Sequence, residues 1–174
     1  MDNNHSTTPE DEKDLAQTPV WFMGALQSYL GTDFALDVCA LARTAKVPNY
    51  YSLAERNEDA FKLPWLRDNF CNPPYSNIKP WILRAGVQAM AGKTTAILIP
   101  DKPETDFTRT SRRVADTIIH MPFRLRFLRP DGSEFLDKLG KKQGPKFAVA
   151  VHLVTPHGLK MPVRDVYVDF RNIK

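Results

Sequence analysis

A chain of 174 residues, 43% apolar and carrying a net charge of +4, suits one domain with a sizeable core and excludes a disordered or fibrous protein. No apolar run approaches the roughly 18 residues that span a bilayer. Cys39 and Cys71 lie in apolar segments and read as reduced, buried thiols, and no cysteine or histidine spacing suggests a metal site.

Residues 1–17 are polar and acidic, which argues against a signal peptide and predicts a disordered lead-in to a single domain over 18–174. Thr18 is expected to cap a helix with Pro19 at its first position. Phe22, Ala25, Leu26, Tyr29 and Leu30 then share one face, and Gly31 stops the helix. Residues 34–40 read as a buried strand interrupted by one charge, Asp37. A buried carboxylate is costly unless paired, so Asp37 is expected to have a partner. A second short strand is expected through Tyr50 and Tyr51. Asp59-Ala60-Phe61 and Phe70-Cys71 then bracket a loop that ends in Asn72-Pro73-Pro74-Tyr75.

Past that turn, Ser76 or Asn77 is expected to cap a helix in which Ile78, Trp81, Ile82, Ala85 and Ala89 share a face. Pro80 is tolerated because it falls in the first turn. Residues 94–99 are a β-branched strand stopped by Pro100. A helix over 107–114 leads to a strand over 117–121, and 124–128 reads as another. Pro130-Asp131-Gly132 marks a tight turn, 147–154 a last core strand, and 163–170 an edge strand. Strands alternating with helices predict an α/β fold with a mainly parallel sheet and a late antiparallel portion.

Positive charge gathers in three places: Lys138, Lys141, Lys142 and Lys146; Arg109, Arg112 and Arg113; and Arg124, Arg126 and Arg129. Basic loops suit a polyanionic partner, although any one of these clusters also reads as a solvated surface.

Asn72-Pro73-Pro74-Tyr75 suits one demanding piece of chemistry. The lone pair of an amine on an aromatic base is delocalised into the ring, so attack on a methyl group requires the nitrogen to be drawn toward a tetrahedral shape. Two acceptors aimed at its two N–H bonds can do this: the neutral amide oxygen of Asn72 and the Pro73 carbonyl. Successive prolines fix the bend and bring no competing N–H. Tyr75 is placed to lie against a flat base. The same four residues also occur as an ordinary loop.

Several motifs in order carry a resemblance: Thr18-Pro19, Leu36-Asp37-Val38-Cys39-Ala40, Asp59-Ala60-Phe61, Asn72 to Ser76, and Arg124-Leu125-Arg126-Phe127. From residue 18 to about 155 the chain resembles the small phage-encoded DNA adenine-N6 methyltransferases. The resemblance implies a Rossmann-like, doubly wound class I methyltransferase fold with S-adenosylmethionine across the carboxyl ends of the strands. It implies DNA as partner, a cytoplasmic location (that of the host if phage encoded) and no metal. Thr18 and Pro19 would line the methionine end of the cofactor, Asp37 would face its ammonium, and Asp59 would accept from its adenine amine. Asn72, Pro73, Pro74 and Tyr75 would hold the target base, with Phe147 as a second aromatic and Lys138, Lys141, Lys142 and Lys146 on the nucleic acid.

Alternatives stand beside these roles. Thr18-Pro19 is also a helix cap, Asp37 a structural acid and Phe147 a core residue, and Glu58 rivals Asp59. Residues 36–42 lack the usual Gly-x-Gly bend, and Glu55 is a candidate for the cofactor ribose. The same turn serves enzymes that methylate RNA adenine or protein glutamine amides, and a non-catalytic nucleic-acid-binding module is a third reading.

Overall fold

A computed structural model describes residues 14, 16–136, 139–142, 144–158 and 162–173. A six-stranded sheet separates two helical layers. Helix α1 (Val20–Leu30) precedes β1 (Leu36–Asp37), and the short α2 (Leu53–Arg56) precedes β2 (Asp68–Cys71). Helix α3 (Lys79–Met90), β3 (Thr94–Pro100), α4 (Asp106–Ser111), β4 (Thr117–His120), β5 (Val149–Val154) and β6 (Arg164–Tyr167) follow. A 3-10 turn, Phe170–Asn172, closes the fold.

The strand order is β1-β2-β3-β5-β4-β6. Five strands run in one direction, and β5 lies antiparallel between β3 and β4. This is the mainly parallel sheet with a late antiparallel strand that the α/β alternation predicts. The second strand through Tyr50 reduces to one parallel bridge with Asp37, extended by hydrogen bonds from Asp37 to Asn49 and from Tyr51 to Asp37.

Alternation along β3 shows why the sheet is double-faced. Ala96 and Leu98 pack with α1 residues Phe22 and Leu26, and with Phe70, Val151 and Phe170. Ile97 and Ile99 pack on the other face against Ile82, Ala85 and Ala89 of α3. All four β3 side chains are fully buried, as expected of a strand covered on both sides.

Four local expectations change. Pro19, not Thr18, is the cap residue of α1, in extended conformation and without a side-chain cap bond; the Thr18 side chain turns elsewhere. Helix α3 starts from Ile78, because Ser76 Oγ instead donates to Asp14 at 2.7 Å. Residues 124–128 form no strand. Leu125 and Phe127 are buried while Arg124 and Arg126 are exposed, so the alternation is real. Both edges of β4 and β5 are already occupied, however, and only Leu128 pairs, with Gln17 and Glu134. Gln17 belongs to the segment expected to be disordered; here it is buried and its backbone bonds both ways with Leu128. Among the described residues no helix is long and apolar enough to cross a membrane.

Candidate active site

Strands β1 and β2 end side by side, Asp37 opposite Phe70, and the connections leave them in opposite directions. Residues 49–51 return along the outer side of β1, while β3 lies beyond β2. Diverging crossovers open a crevice at the carboxyl ends of parallel strands. A cavity of about 290 Å³ lies there, walled by Thr18, Asp37, Lys46, Glu58 and Asn72 among others. This volume is at the small end for ligand sites, which run to about 300–1,000 Å³.

Asn72 follows the last residue of β2, and its side-chain nitrogen donates to the Ala16 carbonyl at 3.2 Å. That bond fixes which end of the amide is which. The amide oxygen is buried in the cavity wall and has no hydrogen-bond partner. Pro73 is buried behind it, and Pro74 lines the cavity and accepts the Asn77 N–H at 3.1 Å. An unpartnered buried acceptor is costly; here it stands in the turn that the sequence marks as a source of acceptors.

Two more unpartnered buried oxygens face the same cavity: the Thr18 hydroxyl and Oε2 of Glu58. Asp37 is 3% exposed and holds its partners, the Lys46 N–H on Oδ2 at 3.1 Å and the Cys39 N–H on Oδ1 at 3.4 Å. Burial nevertheless pushes its carboxyl up to about 6, against the pull of those bonds and of the Lys46 charge. Asp59 also lines the cavity, but Oδ1 accepts the Phe61 N–H at 2.9 Å and Oδ2 lies 3.2 Å from the Lys62 ammonium. Glu58 keeps one oxygen 3.1 Å from Arg56 and the other free toward the cavity. Of the two rivals, Glu58 has the unspent acceptor. Glu55 turns away, accepting the Ala42 N–H at 2.6 Å.

Phe61 and Trp81 form an apolar wall, their rings 4.6 Å apart. The loop that carries Phe61 is braced by Trp65, whose indole N–H donates to the Ala60 carbonyl at 2.8 Å and whose backbone N–H donates to Gln88.

Tyr75 lies behind the cavity rather than in its wall. Its hydroxyl meets the Leu98 carbonyl at 3.4 Å, and its ring stands 6.1 Å from Phe127 and 5.9 Å from Phe147. Phe147 is half-buried, with the Lys102 ammonium over its face. The aromatics expected on the base are thus brought together, one layer behind Asn72 and Pro74. Phe127 and Phe147, which flank Tyr75, also bracket the connection over 128–146. Lys141, Lys142 and Lys146 are exposed on this connection, Lys142 paired with Glu134 at 2.9 Å; Lys138 lies outside the described residues. Pro19 is buried and does not line the cavity.

Lys46 and Trp81 escape a sequence reading. Lys46 sits in an irregular segment without periodicity, and Trp81 reads only as one member of an apolar helix face. Among the described residues no group of three or more His, Cys, Asp or Glu side chains converges as metal ligands would.

The family described as DNA N-6-adenine-methyltransferase (Dam) matches this chain over residues 5–157. A DNA N-6-adenine-methyltransferase of Haemophilus phage HP1 (strain HP1c1) is 28% identical over 173 residues, spanning 97% of this chain and 94% of the relative.

Proposed function

This chain belongs to the DNA N-6-adenine-methyltransferase (Dam) family, and from that membership we propose how its residues divide the work. The reaction is methylation of the adenine amine in DNA, and the family implies a methyl donor. In our reading the donor is S-adenosylmethionine, held in the cavity at the ends of β1 and β2. The donor set there fits it: Asp37 for an ammonium, Glu58 and Asp59 for hydroxyl or amine hydrogens, and Phe61 with Trp81 for a flat purine. When bound, it supplies an electrophilic methyl group.

The chain's own contribution is orientation and charge. A target adenine leaves the helical stack, at a cost of a few kcal/mol that contacts in the pocket offset. The Asn72 oxygen accepts one N–H of its amine and the Pro73 carbonyl the other. As the nitrogen turns tetrahedral and gains positive charge, both acceptors bind it more strongly than they bind the planar amine. Neither acceptor is charged, so neither competes as a nucleophile. Tyr75, wedged by Phe127 and Phe147, backs the turn and keeps it rigid. Residues 18–174 act as one catalytic domain, in the cytoplasm of a phage-bearing host.

The unpartnered Asn72 oxygen carries this reading. Asn72→Ala is expected to lower single-turnover methylation of duplex DNA about 100- to 1000-fold, the usual loss for one preorganised hydrogen bond. Affinity for S-adenosylmethionine should stay within a few-fold. A variant that methylates at the parent rate would remove Asn72 from the chemistry.

A further inference from the structure

Lys46 is the only cation among the described residues lining the cavity, whose other charges are acids: Asp14, Asp37, Glu58 and Asp59. It is half-buried, and among the described residues no carboxylate lies within ion-pair distance of it. Its ammonium donates to one neutral acceptor, Oε1 of Gln17, at 2.9 Å. An ammonium has three N–H donors, so two remain for a ligand. The lysine is held in place from both ends. Its backbone N–H is bound to Asp37, and Gln17 is locked by backbone bonds to Leu128 and by its own side-chain bond to the Pro130 carbonyl at 2.7 Å. The buried, unpartnered Thr18 hydroxyl belongs to the same wall.

An acid and a base exposed to one cavity, joined through a single backbone hydrogen bond and not paired with each other, match a ligand that carries both charges on adjacent atoms. The amino-acid end of an S-adenosylmethionine-type ligand is such a zwitterion. We propose that Lys46, assisted by the Thr18 hydroxyl, receives the carboxylate of that end while Asp37 receives its ammonium. This rests on the cofactor reading given above. It makes Lys46 a cofactor-binding residue and explains why a half-buried lysine beside Asp37 forms no ion pair among the described residues.

The test compares two ligands that differ only at that end. S-adenosylhomocysteine carries the amino acid; 5′-methylthioadenosine keeps the adenosine and thioether but lacks it. Calorimetry at pH 7.5 on the full chain should show the parent binding S-adenosylhomocysteine the more tightly. Lys46→Met should weaken S-adenosylhomocysteine about 10- to 100-fold, the range for charge-assisted hydrogen bonds, and leave 5′-methylthioadenosine within about twofold. Lys46→Gln, which keeps a donor for Gln17, serves the same purpose should the methionine variant fail to fold. Thr18→Val is expected to reproduce the pattern at a few-fold. Unchanged S-adenosylhomocysteine affinity in the lysine variants would overturn the assignment, and so would equal weakening of both ligands, which would make Lys46 a prop for the pocket wall. A parent that binds neither ligand would instead remove the cofactor reading beneath it.

Discussion

Burial holds the Asp37 carboxyl at about 6, well above an ordinary carboxylate, and this gives the cavity a pH response. The folded chain prefers the protonated acid, so Asp37 adds to stability as pH falls from about 6 toward the ordinary value of 3.8. A cationic ligand needs the ionised form. S-adenosylhomocysteine affinity is therefore expected to drop as pH is lowered from 7 through 6 to 5, approaching tenfold per unit at the acid end. Asp37→Asn should bind more weakly at pH 7 and lose the slope. A parent affinity that is flat over this range would make Asp37 a structural acid. Single residues also show what sequence alone marks out, since Asp37 and Asn72 meet in one cavity. Asp37 was legible because a charge in an apolar run is an anomaly, and Asn72 because its turn has a distinct chemical use. Glu58 against Asp59 was not legible. Both are acids in one loop that line the cavity, and only the structure shows that Asp59 already binds Phe61 and Lys62 while one Glu58 oxygen is unpartnered.

Among the elements, the connection over 128–146 carries the lysines we propose for DNA. Phe127 and Phe147, which bracket it, flank Tyr75, and Gly132, at φ +85°, makes its first turn with the Gly132 N–H on the Arg129 carbonyl. Replacing Lys138, Lys141, Lys142 and Lys146 together by Gln is expected to flatten the salt dependence of duplex binding. Each phosphate contact contributes about 0.9 to the log–log slope, and Lys142 must first leave Glu134, so a fall of about two units is expected. Cofactor affinity should not change. Titrations from low to moderate salt decide this. An identical slope would move the phosphate contacts to Arg124 and Arg126, which face outward just ahead of this connection; Arg109 and Arg112 are already engaged with Asp106 and Asp165. The 124–128 segment also shows why a period-two pattern misleads. Alternation reports that one face is buried, but a strand needs a free edge to pair with, and the sheet offers none there.

For the molecule as a whole, the far side of the sheet is tied by a charge network. His120 at the end of β4 meets Asp101 at 2.7 Å and Asp165 of β6 at 3.0 Å, and Arg112 grips Asp165 with two bonds. Burial disfavours the charged ring of His120, but the bonds and charges of the two acids outweigh it and raise its pKa. The Arg112 bonds, helped by His120, hold Asp165 far below the ordinary carboxylate range. The raised histidine contributes stability below its ordinary pKa of 6.5 and loses it at higher pH; the depressed acid contributes above its ordinary 3.8 and loses it at lower pH. The network is therefore strongest between roughly pH 4 and 6.5. Buried His152, pushed down to about 4, opposes it across the same window, since the unfolded chain takes up a proton that the fold refuses. Comparing the parent with Asp165→Asn removes most of that term, which comes first from the burial of His152 in both proteins. The variant should be less stable by about 1–2 kcal/mol near pH 5.5, discounted for partial exposure, and the gap should narrow by pH 8. Denaturant melts at both pH values check this, and a gap that widens with pH would exclude a charged His120. None of it was legible from sequence, because the strand order that brings Asp101, His120 and Asp165 together depends on pairings between distant segments. That same order has a consequence for synthesis. Strand β5 is central in the sheet yet follows in the chain both strands that it joins. Until residues 149–154 emerge, β3 presents Ala96, Ile97, Leu98 and Ile99 along a bare inner edge, and β4 is bare as well. A nascent chain thus carries β3 half-paired until β5 emerges, and a product cut short before residue 149 is left with open edges on β3 and β4 suited to pairing with other chains.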